Sequence, residues 1–302
     1  MAVSFKAMQA ANKRKTIILI AMMASLTAFV VYAIGLYMGV ATTGLVPFVV
    51  LISVGGTWWS YYASDRIVMT MTGARVIEES DAPQLYNIVQ EVVIASGMPM
   101  PKVAIVEDDA PNAFATGRDP EHAVIAFTTG ILRVMDREQL QGVAAHEMAH
   151  VANRDTLVSA VAATTAGAIA LMSDMVSRIL WFGGGRDRDR NANPIALIGV
   201  VIVIILAPLA AMLLRSAISR NRESLADATG VEFTRNPAGL RRALEQLEKD
   251  STVVRQRSTS VAHVWIESPL DSSFTSKLFA THPPLSERIA SLKAIESGTY
   301  DN

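Results

Sequence analysis

Two histidines four residues apart, with a glutamate directly after the first, form the stretch His146-Glu147-Met148-Ala149-His150. On an α-helix the side chains at i and i+4 share a face, so both imidazoles can reach one Zn²⁺ while Glu147 polarises water at the metal. The chemistry this implies is hydrolysis, with peptide bonds as the first candidate substrate. The competing reading is a partly buried helix whose two histidines are merely hydrogen-bonded. Both readings need a helix, and the flanking residues predict one. Asp136 with Gln139 has the spacing of a capping box, and Leu140, Val143, Ala144 and Met148 recur at helical intervals.

A catalytic zinc takes three protein ligands and keeps one position open, so the pentapeptide is one ligand short. The chain has no cysteine, which restricts the ligands to histidine or carboxylate and excludes disulfides and a thiol nucleophile. The best candidate is Glu223, in Ser219-Arg220-Asn221-Arg222-Glu223-Ser224-Leu225-Ala226-Asp227. Glu223 and Asp227 share a helix face at i,i+4, and Asp227 could accept the ring N–H of a metal-bound histidine. The alternative is a solvated helix face on which these acids pair with neighbouring arginines.

The elements that must position these residues include membrane segments. The 302 residues are 51% apolar and 18% charged, with a mean hydropathy of +0.31, more apolar than an ordinary soluble domain. No residue from Thr16 to Ser64 is charged, and one helix over that stretch would be about 70 Å long, more than twice a bilayer core. Two spans are therefore expected, near Thr16 to Met38 and Leu45 to Tyr62. Gly39, Gly44 and Pro47 make the reversal, and Trp58, Trp59, Tyr61 and Tyr62 form an interfacial aromatic belt. Thr156 to Ser173 and Asn191 to Leu214 are two further uncharged stretches of spanning length, separated by Gly183-Gly184-Gly185 and the charged run Arg186 to Arg190. Lys13, Arg14 and Lys15 before the first span put the N-terminus in the cytoplasm, and four spans return both intervening soluble segments to the same side. With a net charge of −1 and no polybasic tract, nucleic acid is not an expected partner, whereas the lipid bilayer is.

This gives four segments: 1–64 as anchor and hairpin, 65–155 as the first part of a cytosolic domain, 156–214 as a second hairpin, and 215–302 as the rest of that domain. Within 65–155 the order reads helix, strand, strand, helix. Asp81 and Pro83 open a helix that Gly97 closes, Lys102 to Glu107 and Ala123 to Thr128 are strands, and the metal helix begins at Asp136. His150 is about 9 Å of helix from Thr156, which puts the metal just above the bilayer. In the last segment the fourth span continues through Arg215 to Thr229, Pro237 to Lys249 is amphipathic, residues 250–280 read as a long loop, and a helix runs from Leu285 to Ser297. The two soluble segments together make one domain of about 180 residues.

Four motifs in order, Asn112 to Gly117, His146 to His150, Ser219 to Asp227 and Thr281-His282-Pro283-Pro284 through Arg288, together with the membrane hairpin, resemble the HtpX family. These are integral-membrane zinc metallopeptidases related to the CAAX prenyl proteases, and the resemblance covers nearly the whole chain. It implies a mainly α membrane protein in which four transmembrane helices carry a cytosolic α+β zincin-like (gluzincin) domain with a small sheet. It implies one Zn²⁺ per chain, Glu223 as third ligand and Asp227 as its companion. It further implies that Asn112 and His282 line the substrate site, with His282 steadying the charged intermediate and Arg288 supporting it. The position after Glu223, commonly aromatic in relatives, is Ser224 here. His263, beside Trp265, is a rival ligand in principle but reads as an ordinary surface or packing residue, and His122, next to Glu121, reads as structural.

In the implied mechanism Glu147 takes a proton from water as it attacks the peptide carbonyl and returns it to the leaving amine, while His282 donates to the developing oxyanion. Ala123, Val124, Ile125, Ala126 and Phe127 are expected to form an edge strand to which an extended substrate adds. The resemblance makes unfolded or damaged membrane proteins the substrates, in quality control and stress response at the bacterial inner membrane. A CAAX-type prenyl protease and a non-catalytic zinc-binding membrane scaffold are the alternatives.

Overall fold

The computed structural model describes residues 46–157, 220–249 and 284–298, with isolated positions between residues 14 and 44. The first, third and fourth expected spans, the loop 250–280, His263 and His282 fall largely or wholly outside them.

Helix α1, Val46–Thr72, contains the expected second span but runs on without a break to Thr72. Among the described residues no helix is long and apolar enough to cross a membrane. In α1 the reason is local: Gly55 to Tyr62 mixes glycine, hydroxyl and aromatic residues, and Asp65 and Arg66 follow within a turn. Phe48, Leu51, Val54, Trp58 and Trp59 are each more than half exposed on it. The last turns of α1 do different work. Val68 is fully buried, and with Met69 and Met71 it covers one face of a four-stranded sheet.

The sheet comprises β1 Arg75–Ile77, β2 Lys102–Val106, β3 Ala113–Thr116 and β4 Val124–Thr128, in the order β1-β2-β4-β3. β2 and β4 are parallel, and the two outer pairings are antiparallel. Strand alternation divides the side chains between two cores. Ala104, Val106, Phe114, Val124 and Ala126 face α1, whereas Val103, Ala113, Ala115, Ile125 and Phe127 face the opposite helical layer. With both faces covered, β4 is buried along its whole length.

That helical layer begins with α2, Pro83–Ser96, which starts on a proline at its first turn and ends on Gly97 in the left-handed conformation at φ 68°. The expected cap at Asp81 does not form: its carboxylate accepts instead from the backbone N–H of Glu78. A short α3, Thr129–Val134, leads into α4, Arg137–Ala152. In α4 the capping box is realised: Asp136 accepts from the Gln139 N–H at 2.9 Å, and the Gln139 side chain accepts from the Asp136 N–H at 2.8 Å. Almost every residue of α4 from Gly142 to Ala149 is buried, so this is the central helix of the domain.

Three later helices close around α4: α5 Arg220–Thr234, α6 Pro237–Lys249 and α7 Leu285–Glu296. The α6 stripe Leu240, Ala243, Leu244 and Leu247 is entirely buried, each leucine contributing about 1.5–3 kcal/mol of transfer free energy. Close approach is set by glycine. A Cβ on Gly142 would lie 2.5 Å from the Leu240 nitrogen, and one on Gly230 would lie 3.0 Å from the His146 nitrogen. α5 and α6 therefore rest almost backbone to backbone on the metal helix.

Candidate metal centre

Helix α4 carries His146, Glu147 and His150, and α5 crosses it with Glu223, Asp227 and Gly230 on the face turned toward it. The spacing of 223, 227 and 230 is one helical stripe, so the glycine that permits close packing also brings the two carboxylates to the imidazoles. His146, Glu147, Glu223 and Asp227 are all at most 3% exposed, and His150 is partly buried.

His146 Nε2 and His150 Nε2 are 3.2 Å apart, and each is 3.5 Å from one oxygen of Glu223. Ligands about 2.0–2.1 Å from a tetrahedral zinc are separated by about 3.4 Å, so the three donors already have the edge lengths of such a site. The other ring nitrogens are occupied. His146 Nδ1 is 2.9 Å from Asp227, and His150 Nδ1 is 3.2 Å from Asp155. With each Nδ1–H donating to a carboxylate, both Nε2 atoms are left to face a third carboxylate, an arrangement that calls for a cation between them. The donor set fits zinc, and His146, His150 and Glu223 would hold it.

The charges around this centre are balanced by one buried arginine from α7. Arg288 forks onto Asp227, donating from Nε at 3.0 Å and from Nη2 at 2.7 Å, and its Nη1 is 3.4 Å from Glu223. Burial would raise the Asp227 carboxyl, but Arg288 and His146 outweigh it and hold the group down at about 2. Burial and the Arg288 charge push His146 down, and the carboxylates of Asp227 and Glu223 more than reverse this, bringing it to about 9. Protonated His146 is therefore favoured at neutral pH when no metal is bound. Glu147 is buried beside His146 on the same helix, and its charge helps to raise Arg288.

The structure corrects one expectation directly. Val124 to Phe127 do not form an edge: β4 is an inner strand hydrogen-bonded on both sides, and Ala123 just precedes it. Sequence alternation cannot reveal this, because an inner strand covered on both faces and a short edge strand both read as apolar runs. The edge beside the metal helix is β3, which packs on α4. Thr128 donates its N–H to the Asn112 carbonyl at 2.9 Å, so residues 112, 114 and 116 turn their backbone groups toward β4, and 113 and 115 turn theirs outward. Asn112, also buried, accepts from the Ala113 N–H with its side chain at 3.0 Å. No described strand pairs with the outer side of β3.

Two residues at the centre were given no role from sequence: Asp155, which lies outside the motifs, and Arg222, which lies within Ser219 to Asp227 and whose Nε is 3.7 Å from Asp155. Arg222 sits next to Glu223 in sequence, which was a signal. Asp155 had none, because five residues beyond His150 on an unbroken helix would point it elsewhere.

A helix offering two histidines and a glutamate, crossed by a second helix offering a carboxylate ligand, defines a zinc metallopeptidase. The chain belongs to peptidase family M48, whose pattern matches residues 79–296, and within it to the HtpX proteases. It is 44% identical over 289 residues to a protease HtpX homologue of Streptococcus gordonii, covering 94% of this chain and 97% of that one. It is 47% identical over 246 residues to one from Tropheryma whipplei, covering 82% and 84%. Among solved structures it resembles Ste24p of S. mikatae, with a TM-score of 0.52 and 19% identity. That likeness covers 90% of this chain but 65% of the Ste24p chain, and it is one of fold alone.

Proposed function

We propose that this metallopeptidase is a membrane-embedded endopeptidase that cleaves unfolded or damaged membrane proteins at the cytosolic face. The carrying observation is the set of three donors at zinc-like separations with Glu147 beside them on the metal helix. Zinc bound there supplies Lewis-acid polarisation of the peptide carbonyl and lowers the pKa of water toward neutrality. Glu147 takes the proton of the attacking water and hands it to the leaving amine. Asp227 and Arg288 hold His146 in the tautomer that leaves Nε2 for the metal.

Substrate backbone adds to the outer edge of β3, the side to which the register turns the N–H and carbonyl of Ala115. Recognition through the main chain reads little side-chain identity, which suits a protease of unfolded segments. Asn112 stays in the proposal as the residue that begins this edge, and His282 as a donor to the oxyanion. The uncharged stretches at 16–64, 156–173 and 191–214 support four spans and an inner-membrane location, and Lys13 to Lys15 support cytoplasmic termini. The exposed Trp58 and Trp59 support the same placement of α1.

The test is digestion of a loosely folded protein by the detergent-solubilised full chain with added zinc, beside Glu147→Ala. Cleavage should fall by about 10²–10⁴-fold in the variant. Equal cleavage by both would sink the mechanism.

A further inference from the structure

The centre has a near-symmetry that the motifs do not contain. His146 rests on a carboxylate held by an arginine, Asp227 with Arg288. His150 rests on a second such pair, Asp155 with Arg222, at 3.2 Å and 3.7 Å. Both members of the second pair are at most 5% exposed.

Asp155 reaches His150 only because the helix breaks in between. Continued as an α-helix, residue 155 would be rotated about 140° from residue 150 and aimed away from it. Instead α4 ends at Ala152, Asn153 caps it, and Arg154 takes a left-handed conformation at φ 62°. This is costly for any residue but glycine, and such strain persists where the surroundings enforce it. The next residues are fixed on separate elements. Asp155 turns back to His150, and Thr156 donates its hydroxyl to the Gly117 carbonyl at 3.0 Å, at the end of β3.

We propose that Asp155, delivered by the left-handed turn at Arg154 and held by Arg222, is a positioning residue for the metal. It accepts the Nδ1–H of His150 and fixes the ring so that Nε2 faces the ion. The inference rests on the reading of His146, His150 and Glu223 as the ligand set. Because Arg222 precedes Glu223 on α5, one buried ion pair sets the second ligand on α4 and the third ligand on α5 relative to each other. The end of the metal helix is thereby a part of the metal site.

Groups that orient metal-bound histidines typically account for about 10–100-fold in metal affinity. The experiment measures zinc affinity of the full-length protein in detergent, stripped of metal and titrated against a chromophoric chelator. The visible spectrum of the Co²⁺-loaded form reports ligand geometry. Asp155→Asn should bind zinc about 10–100-fold more weakly and shift the cobalt bands, while its metal-free form melts near the parent temperature. Arg222→Gln should give a smaller loss in the same direction and serves if Asp155→Asn does not fold. Thr72→Val, which removes a buried hydroxyl bonded to the Val68 carbonyl at the end of α1, should change affinity by less than about twofold. Asp155→Asn with parental affinity and an unshifted cobalt spectrum would overturn the proposal, as would an equal loss in Thr72→Val. A parent chain that binds no zinc would overturn the ligand set itself.

Discussion

At the scale of single residues the centre is a problem in proton and metal competition. His146 is held at about 9, so in the metal-free protein at neutral pH it carries the proton that zinc must displace. Raised from 6.5, this group contributes stability that is fully present below pH 6.5 and is lost as pH rises through 9. The metal-free protein should therefore lose on the order of 3 kcal/mol between those limits, read from denaturant melts at several pH values. Zinc binding should run the other way, strengthening as pH rises toward 9 and releasing protons at pH 7. Calorimetry in buffers of different ionisation enthalpy measures that release, and none would contradict the protonated centre. Asp227, held near 2, adds stability that is present above its ordinary 3.8 and disappears as pH falls toward 2.

Elements decide how far those residues can move. α5 lies on α4 through Gly230, so a methyl group there meets backbone rather than a side chain that could turn aside. Gly230→Ala should cost about 1–3 kcal/mol and weaken zinc binding, because Glu223 and Asp227 ride on the same helix. A variant with lowered melting temperature but parental zinc affinity would show that the helices shift without disturbing the ligands. β3 offers a second test. Proline at 115 removes an outward N–H that β4 does not use, a substitution edge strands tolerate. Ala115→Pro should raise KM for unfolded substrates by up to about tenfold, leaving kcat and zinc content unchanged. An unaltered KM would move substrate away from this edge.

For the molecule as a whole, one continuous helix joins the aromatic stretch to the sheet. Trp58 packs against Tyr62, Arg118 from the loop after β3 lies 5.2 Å over the Tyr62 ring, and Val68 is buried against the sheet. From Tyr62 to Val68 is about 9 Å of helix, so a bilayer at the aromatic belt would leave the sheet and metal centre within a few turns of its surface. With even spans, a green fluorescent protein fused after Asn302 should fluoresce in bacterial cells. An alkaline phosphatase fused at the same point should be inactive. The opposite pair of results would place the metal centre outside the cytoplasm.

Sequence signals are reliable where they are local. The capping box, the i,i+4 pairs His146/His150 and Glu223/Asp227, the stripe of α6 and the strand expected at Lys102 to Glu107 and found over Lys102–Val106 all depend on residues within a turn or two of one another. The three-residue β1 and four-residue β3 were too short to show a period, and β4 was read as an edge because strand order is a long-range property. Asp155 could not be read at all, since its approach to His150 depends on a left-handed residue that is not glycine. Residue types and spacing thus pointed to zinc chemistry with His146 and His150 as ligands and Glu223 as the candidate third, which the HtpX resemblance assigned. Only the tertiary structure decided which strand ends the sheet beside the metal helix and which carboxylate steadies His150, because both depend on how separate chain segments close on one another.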